Sequence, residues 1–124
     1  MSEGRRRQSY RDLVVWQKAV DLTVLVYDTR KAFPSDERFG LVTQMRRAAI
    51  SVASNIAEGY GRDADGSFAQ FLRIAQGSLK ELETQTIIGR RVELIARRAE
   101  AVLLGRMDEI GRMLRALIRK VAST

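Results

Sequence analysis

The residues able to do chemistry in this sequence are its arginines. Of 22 basic residues 18 are arginine, set against 15 acids for a formal charge of +7. Histidine and cysteine are absent, which removes the commonest general base, the commonest metal ligand, thiol chemistry and any disulfide. The charge is uneven: residues 1–11 hold four Arg and one Glu, residues 12–89 sum to about −1, and residues 90–124 hold nine bases and four acids. The planar fork of arginine suits phosphate and carboxylate, so an acidic partner is expected. Near the C-terminus, Arg112, Arg115 and Arg119 fall opposite an apolar seam, with Asp108 one turn before Arg112. Arg115 and Arg119 are like charges one turn apart, which no pairing within a helix accounts for. These three, with Arg46 and Arg47, are the candidate nucleic-acid contacts, because phosphate backbones bind such surfaces with steep salt dependence.

A polar stripe of Gln44, Arg47, Ser51, Asn55 and Glu58 at helical spacing is the second candidate. Two readings stand. Arg47 and Glu58 either grip a small polar ligand, or each pair across the bundle as a structural network, with Glu81 or Glu83 as example partners on the third helix. The network is the expected one. Residues 61–67 place two glycines five apart before Ser67, yet lack the lysine and the preceding strand of a phosphate-binding loop, so they read as a turn. Di-iron bundles require Glu-x-x-His pairs, which this chain cannot form. Asp108 and Glu109 point to different faces, and Trp16, Phe68 and Phe71 lie on apolar stripes, where packing explains them. No catalytic residue, metal or cofactor is expected, and the chain is not expected to be an enzyme.

The elements that must position these residues are helices. No segment alternates as a strand does, and the sequence contains a single proline. Residues 1–9 are expected to form a flexible basic tail ahead of one domain at 10–123, with helices at about 10–32, 36–60, 66–91 and 97–121. Phe33-Pro34-Ser35 ends the first, and Ser35 or Asp36 can cap the second. The glycines at 59 and 61 suit left-handed positions in the next turn. The break between the last two helices is marked only by Gly89 and a change of phase. Phe68, Leu72, Ala75, Leu79, Leu82 and Thr86 form the seam of the third helix, and Leu103, Met107, Ile110, Leu114, Leu117 and Val121 that of the fourth. This 4-3 spacing gives the shallow crossing of an antiparallel up-down-up-down four-helix bundle.

The first two helices differ in being apolar on two faces. In the first, Leu13, Trp16, Val20, Val24 and Tyr27 form the main stripe, with Val15, Leu22 and Val26 opposite. In the second, Leu41, Met45, Ala48, Val52 and Ile56 face the core, with Val42, Ile50, Ala53 and Ala57 on a further band. A two-faced helix needs neighbours on both sides. Val15, Leu22, Val26, Val42, Ile50, Ala53 and Ala57 are therefore the candidate contacts with another copy of the chain.

Particular residues also resemble a known family. They are Asp12-Leu13, Val15-Trp16-Gln17-Lys18-Ala19, Phe33-Pro34, Glu37, Phe39-Gly40-Leu41, Gln44, Arg47-Ala48-Ala49, Ser51 and Ser54-Asn55-Ile56-Ala57-Glu58-Gly59. In the third helix they continue as Phe71-Leu72, Ala75, Gly77-Ser78-Leu79 and Glu81-Leu82-Glu83. As a set they resemble the four-helix-bundle family of proteins encoded by 23S rRNA intervening sequences. More distantly, the chain is similar to the accessory variability protein of diversity-generating retroelements, a basic pentamer that binds nucleic acid and a reverse transcriptase. The resemblance implies a ring-like homopentamer around a central channel, without established enzymatic activity. Together with the charge, it makes a homo-oligomeric scaffold binding RNA or DNA, RNA preferred, the expected function. The alternative is an adaptor that docks an acidic protein, its arginines serving the assembly. No stretch reaches the ~20 apolar residues of a membrane span, so no membrane partner and a cytoplasmic location are expected.

Overall fold

The computed structural model describes residues 9–29, 40–62 and 65–122. After a 3₁₀ turn at Tyr10–Asp12 come four helices: α1 (Val14–Thr29), α2 (Leu41–Tyr60), α3 (Asp65–Arg91) and α4 (Arg97–Ala122). The expected basic tail up to residue 8, the Phe33-Pro34 stop and the Ser35 or Asp36 cap lie outside the described residues.

The first helix starts later than its apolar pattern suggests. Ser9 and Asp12 close a reciprocal capping box: the Ser9 hydroxyl accepts from the Arg11 amide at 3.1 Å, and the Ser9 amide donates to Asp12 Oδ2 at 3.1 Å. That box satisfies the 3₁₀ turn, Leu13 is extended, and α1 begins at Val14. Further along, α2 begins after Gly40, which offers no side-chain cap.

Six contacts fix the topology. Gly59 lies against Phe71, Ser51 against Ser78, and Leu41 against Gly89, so rising numbers on α2 meet falling numbers on α3. Leu79 meets Gly111 between α3 and α4, Lys18 meets Glu109 between α1 and α4, and Tyr27 meets Arg46 between α1 and α2. Each helix thus packs on its chain neighbours and α1 closes against α4, giving the four-helix bundle. Among the described residues there is no strand.

The core seams of α3 and α4 follow the sequence pattern: Leu72, Ala75, Leu79, Leu82, Thr86, Leu103, Met107, Ile110 and Leu114 are buried, while Phe68, Leu117 and Val121 at the seam ends are half-buried. In α1 the two stripes are exchanged. Val15, Ala19, Leu22 and Val26 face the core, whereas Val24 is 55% exposed and Tyr27 37%. Val15, Ala19, Leu22 and Val26 carry the same 4-3-4 spacing as the other seams, and the small Ala19 lets the helices close up. Val15, Leu22, Val26 and Val42 are therefore packed within one chain and cannot make an interface between copies. Ile50 keeps its outward position at 43% exposure, and Ala53 and Ala57 are half-buried beside it.

Glycine is used for close approach rather than for left-handed backbone. Gly61 is right-handed, and no described glycine has a positive φ. A Cβ at Gly59 would sit 2.6 Å from Phe71 Cβ, so its missing side chain lets α3 cross α2. The left-handed position falls instead on Glu93, with φ 66°, in the turn from α3 to α4. There the Gly89 carbonyl accepts from the Leu94 amide at 2.8 Å and the Ile95 amide at 3.1 Å. Ile95 folds back over Gly89, where a Cβ would lie 2.6 Å from its Cδ1. This is a helix C-cap of the kind that usually places glycine in the left-handed site.

Candidate nucleic-acid interface

The bundle distributes its arginines unequally. Arg46 and Arg47 are adjacent in sequence but about 100° apart around α2, and the structure separates them. Arg46 turns toward α1, where its Cζ stacks 4.8 Å from the Tyr27 ring centroid, and its Nε is buried without a hydrogen-bond partner. Such a cation–π contact contributes about 0.5–1 kcal/mol at a half-exposed site. Arg46 is thus engaged in helix packing. Arg47 is exposed on the α2–α3 side and forms no ion pair with a described carboxylate. The two do not form one phosphate-binding pair.

On α4, Arg112 is bound by Asp108 at 3.1 Å, with both side chains two-thirds exposed. An exposed i,i+4 pair of this kind is worth a few tenths of a kcal/mol and leaves the guanidinium open to solvent. Arg115 and Arg119 are exposed and have no described carboxylate partner. The antiparallel packing of α3 on α4 adds two bases that the sequence reading left out. Arg73 and Lys80 line a trough together with Arg115. Their signal was available, since Arg73, Gly77 and Lys80 share one helix face by their 4-3 spacing.

A second basic group lies at the end of the bundle where α3 turns into α4. Arg90 and Arg91 occupy the last turn of α3, and Arg97 and Arg98 open α4. The first pair complements the negative end of a helix dipole, whereas the second opposes the positive end. Neither Arg97 nor Arg98 has a described carboxylate partner. Charge that local helix energetics disfavours is more readily understood as facing an anion.

The polar stripe of α2 is a structural seam with a different wiring from the one expected. Ser51 and Ser78 join α2 to α3 through hydroxyls 2.7 Å apart, and Asn55 donates to the Ser51 carbonyl at 2.8 Å and its hydroxyl at 3.0 Å. Glu58 pairs with Arg62, one turn on, at 3.0 Å, and Glu83 pairs with Lys80 at 3.3 Å. Glu81 accepts from Gln85 at 3.3 Å. The link across the helices is therefore a serine pair, without the Arg47 or Glu58 ion pairs anticipated. Glu58, Arg47 and Gln44 are exposed, so water satisfies them and no buried partner is required.

The opposite side of the bundle is apolar. Val24, Tyr27 and Ile50 are exposed along the outer seam of α1 and α2, with Val20, Ala53 and Ala57 half-buried among them. No helix among the described residues is long and apolar enough to cross a membrane, so this face is not a spanning segment.

The fold has a solved counterpart. A crystal structure of a protein of unknown function from Bacteroides thetaiotaomicron, assigned to the S23 ribosomal protein family, superposes with a TM-score of 0.79 at 24% identity, covering 85% of this chain and 98% of that one. No curated protein matches the chain significantly. The model of a family described as 23S rRNA-intervening sequence protein matches residues 11–116, which takes in all of α1, α2 and α3 and most of α4. With that span matched on a bundle of the same architecture, the chain belongs to the 23S rRNA-intervening sequence protein family.

Proposed function

We propose that this protein is a non-enzymatic, cytoplasmic scaffold that assembles with copies of itself and binds nucleic acid through repeated arginine-rich surfaces. The observation that carries the reading is the division of the bundle's exterior. Val24, Tyr27 and Ile50 are exposed together on the α1–α2 seam, while arginines with no described carboxylate partner are concentrated on α3 and α4, which also expose Ile74, Ile87, Ile88 and Val102. Association through Val24, Tyr27 and Ile50 covers the first surface and leaves the second outward. A homopentamer is the assembly proposed, on the family resemblance and the unpartnered α1–α2 face. Repetition around an axis multiplies the basic surface fivefold, and binding through phosphates gains with each neutralised contact. The family description ties these proteins to ribosomal RNA genes, which puts RNA ahead of DNA.

Fluorescence anisotropy of a structured RNA and a matched DNA duplex, titrated from low to physiological salt, tests the reading. The expected result is tight binding at low salt, a log–log salt slope of several charges, and stronger binding of RNA. Affinity for RNA no greater than that of an unrelated protein of equal charge would overturn it. The arginines would then be left to serve the assembly or to dock an acidic protein.

A further inference from the structure

Between α3 and α4, on the side away from the apolar seam, lies a trough of about 350 Å³. Leu79 and Gly111 meet at its floor, where a Cβ on Gly111 would stand 3.5 Å from Leu79 Cδ2. Gly77 opens its α3 wall, and a Cβ there would meet nothing within 4 Å. Helix packing thus gives no reason for glycine at 77, and glycine inside a helix costs stability relative to alanine. Gly105 is equally open, but only Gly77 stands in the trough wall, where a missing side chain leaves room for an incoming backbone.

The trough has a direction. Because the helices are antiparallel with Leu79 opposite Gly111, Arg73 and Arg115 stand together at one end. Glu83 and Asp108 stand at the other, each held by a cation of its own helix, Lys80 at 3.3 Å and Arg112 at 3.1 Å. The arginine end has no described carboxylate bound to it. An anion is therefore drawn to the arginine end, while the far end, where each carboxylate is paired with a cation, is close to neutral.

We infer that this trough seats one phosphodiester of a single-stranded RNA segment, gripped by Arg73 and by Arg115, whose Nη1 lies over Gly111, 3.7 Å from where a Cβ would stand, with the adjoining ribose lying over Gly77. The inference rests on the nucleic-acid reading above and gives it a place. Arginine forks on both walls match the oxygens of one phosphate. The carboxylates at the far end, each already paired with a cation, offer their remaining lone pairs as acceptors to ribose hydroxyls, including the 2′-OH that DNA lacks.

The test uses the full chain and a fluorescent 12-nucleotide oligouridylate, with anisotropy read over a salt series. Gly77→Leu fills the trough without changing charge and favours the helix, so circular dichroism should remain native while affinity falls by about tenfold. The Arg73→Ala/Arg115→Ala double variant should lower the salt slope by about one. Gly105→Leu provides the control. It lies one turn beyond Asp108, outside the trough and with open space around it, and should leave affinity unchanged. If Gly77→Leu binds as tightly as the native protein, the arginines act only as surface charge and the trough assignment fails, while nucleic-acid binding stands. If the native chain does not bind the oligonucleotide at low salt but captures an acidic peptide, both readings fall and the adaptor takes their place.

Discussion

The outer seam of α1 and α2 and the outer seam of α3 and α4 rest on the same kind of core but present opposite chemistry. The first exposes Val24, Tyr27 and Ile50, and its nearby cation, Arg46, is stacked on Tyr27. The second exposes Arg73 and Arg115 at a trough floored by Leu79 and Gly111, with Arg119 one turn further along α4, and its apolar exposure, at Ile74, Ile87 and Ile88, lies on α3 outside the trough. Apart from Gln85 and Thr86 on α3, the buried residues on both sides are apolar and spaced alike, so the core does not require the difference. It is a property of the surface alone, and a surface divided in this way suits two partners: another copy of the chain on one side, an anion on the other.

The sharpest way to break the comparison is to place one charge on either side of the α1 seam. Val26 is 1% exposed and Val24 55% exposed, two residues apart on the same helix. Val26→Glu buries a carboxylate among aliphatic groups and should cost on the order of 4 kcal/mol or more, enough to abolish the cooperative melt of a marginal domain. Val24→Glu should keep native helicity by circular dichroism and reduce the mass in sedimentation equilibrium to that of one chain. Ile50→Glu should do the same. If Val24→Glu and Ile50→Glu both keep the native mass, the apolar seam does not hold the assembly together, and half of the comparison is lost.

A smaller effect separates glycines that the bundle needs from those it merely tolerates. Gly59 is covered by Phe71, whose Cβ cannot swing aside, so Gly59→Ala should destabilise the fold by about 1–3 kcal/mol through overpacking. Gly77 has no neighbour within reach, so Gly77→Ala should stabilise it by about 0.5–1 kcal/mol. Urea unfolding monitored at 222 nm reads both. Equal signs for the two would mean that the trough wall is packed in solution and the arginine side is not open. The expected signs would sharpen the contrast, since Gly77 would then be kept against stability.

How much of this was legible in the sequence depended on how many apolar stripes a helix carried. With one stripe, as in α3 and α4, the 4-3 spacing alone identified the central buried residues, missing Ala69, Gln85 and Gly111 beside the seams. With two, as in α1, the bulk of Trp16 and Tyr27 drew attention to the wrong face, although Val15, Ala19, Leu22 and Val26 had the regular spacing. Aromatic rings with polar edges are comfortable half-exposed, as Trp16 is against Tyr10 at 5.1 Å. The arginines of α4 were visible as exposed charges. Their company was not, because the meeting of Arg73 with Arg115 depends on the register of two helices 42 positions apart in sequence. Nor did any residue type mark Glu93, since a left-handed position is ordinarily signalled by glycine.

That missing glycine supports the smallest of the predictions. Glu93 holds φ 66°, a conformation costing a residue with a side chain on the order of 1 kcal/mol, and it sits between Arg90–Arg91 and Arg97–Arg98. Glu93→Gly relieves the backbone but adds freedom to the unfolded chain, so the net gain in urea unfolding should be about 0.5 kcal/mol. It also removes one negative charge from the basic end, which should raise RNA affinity modestly at low salt. Glu93→Gln separates the two causes, because it makes the same charge change without relieving φ. Glutamine should reproduce the gain in affinity and not the gain in stability. If glutamine also stabilises, the glutamate was costing the fold through its charge. The arginines around it would then be better satisfied than their lack of described carboxylate partners implies, and the basic end would no longer stand in contrast to the apolar seam.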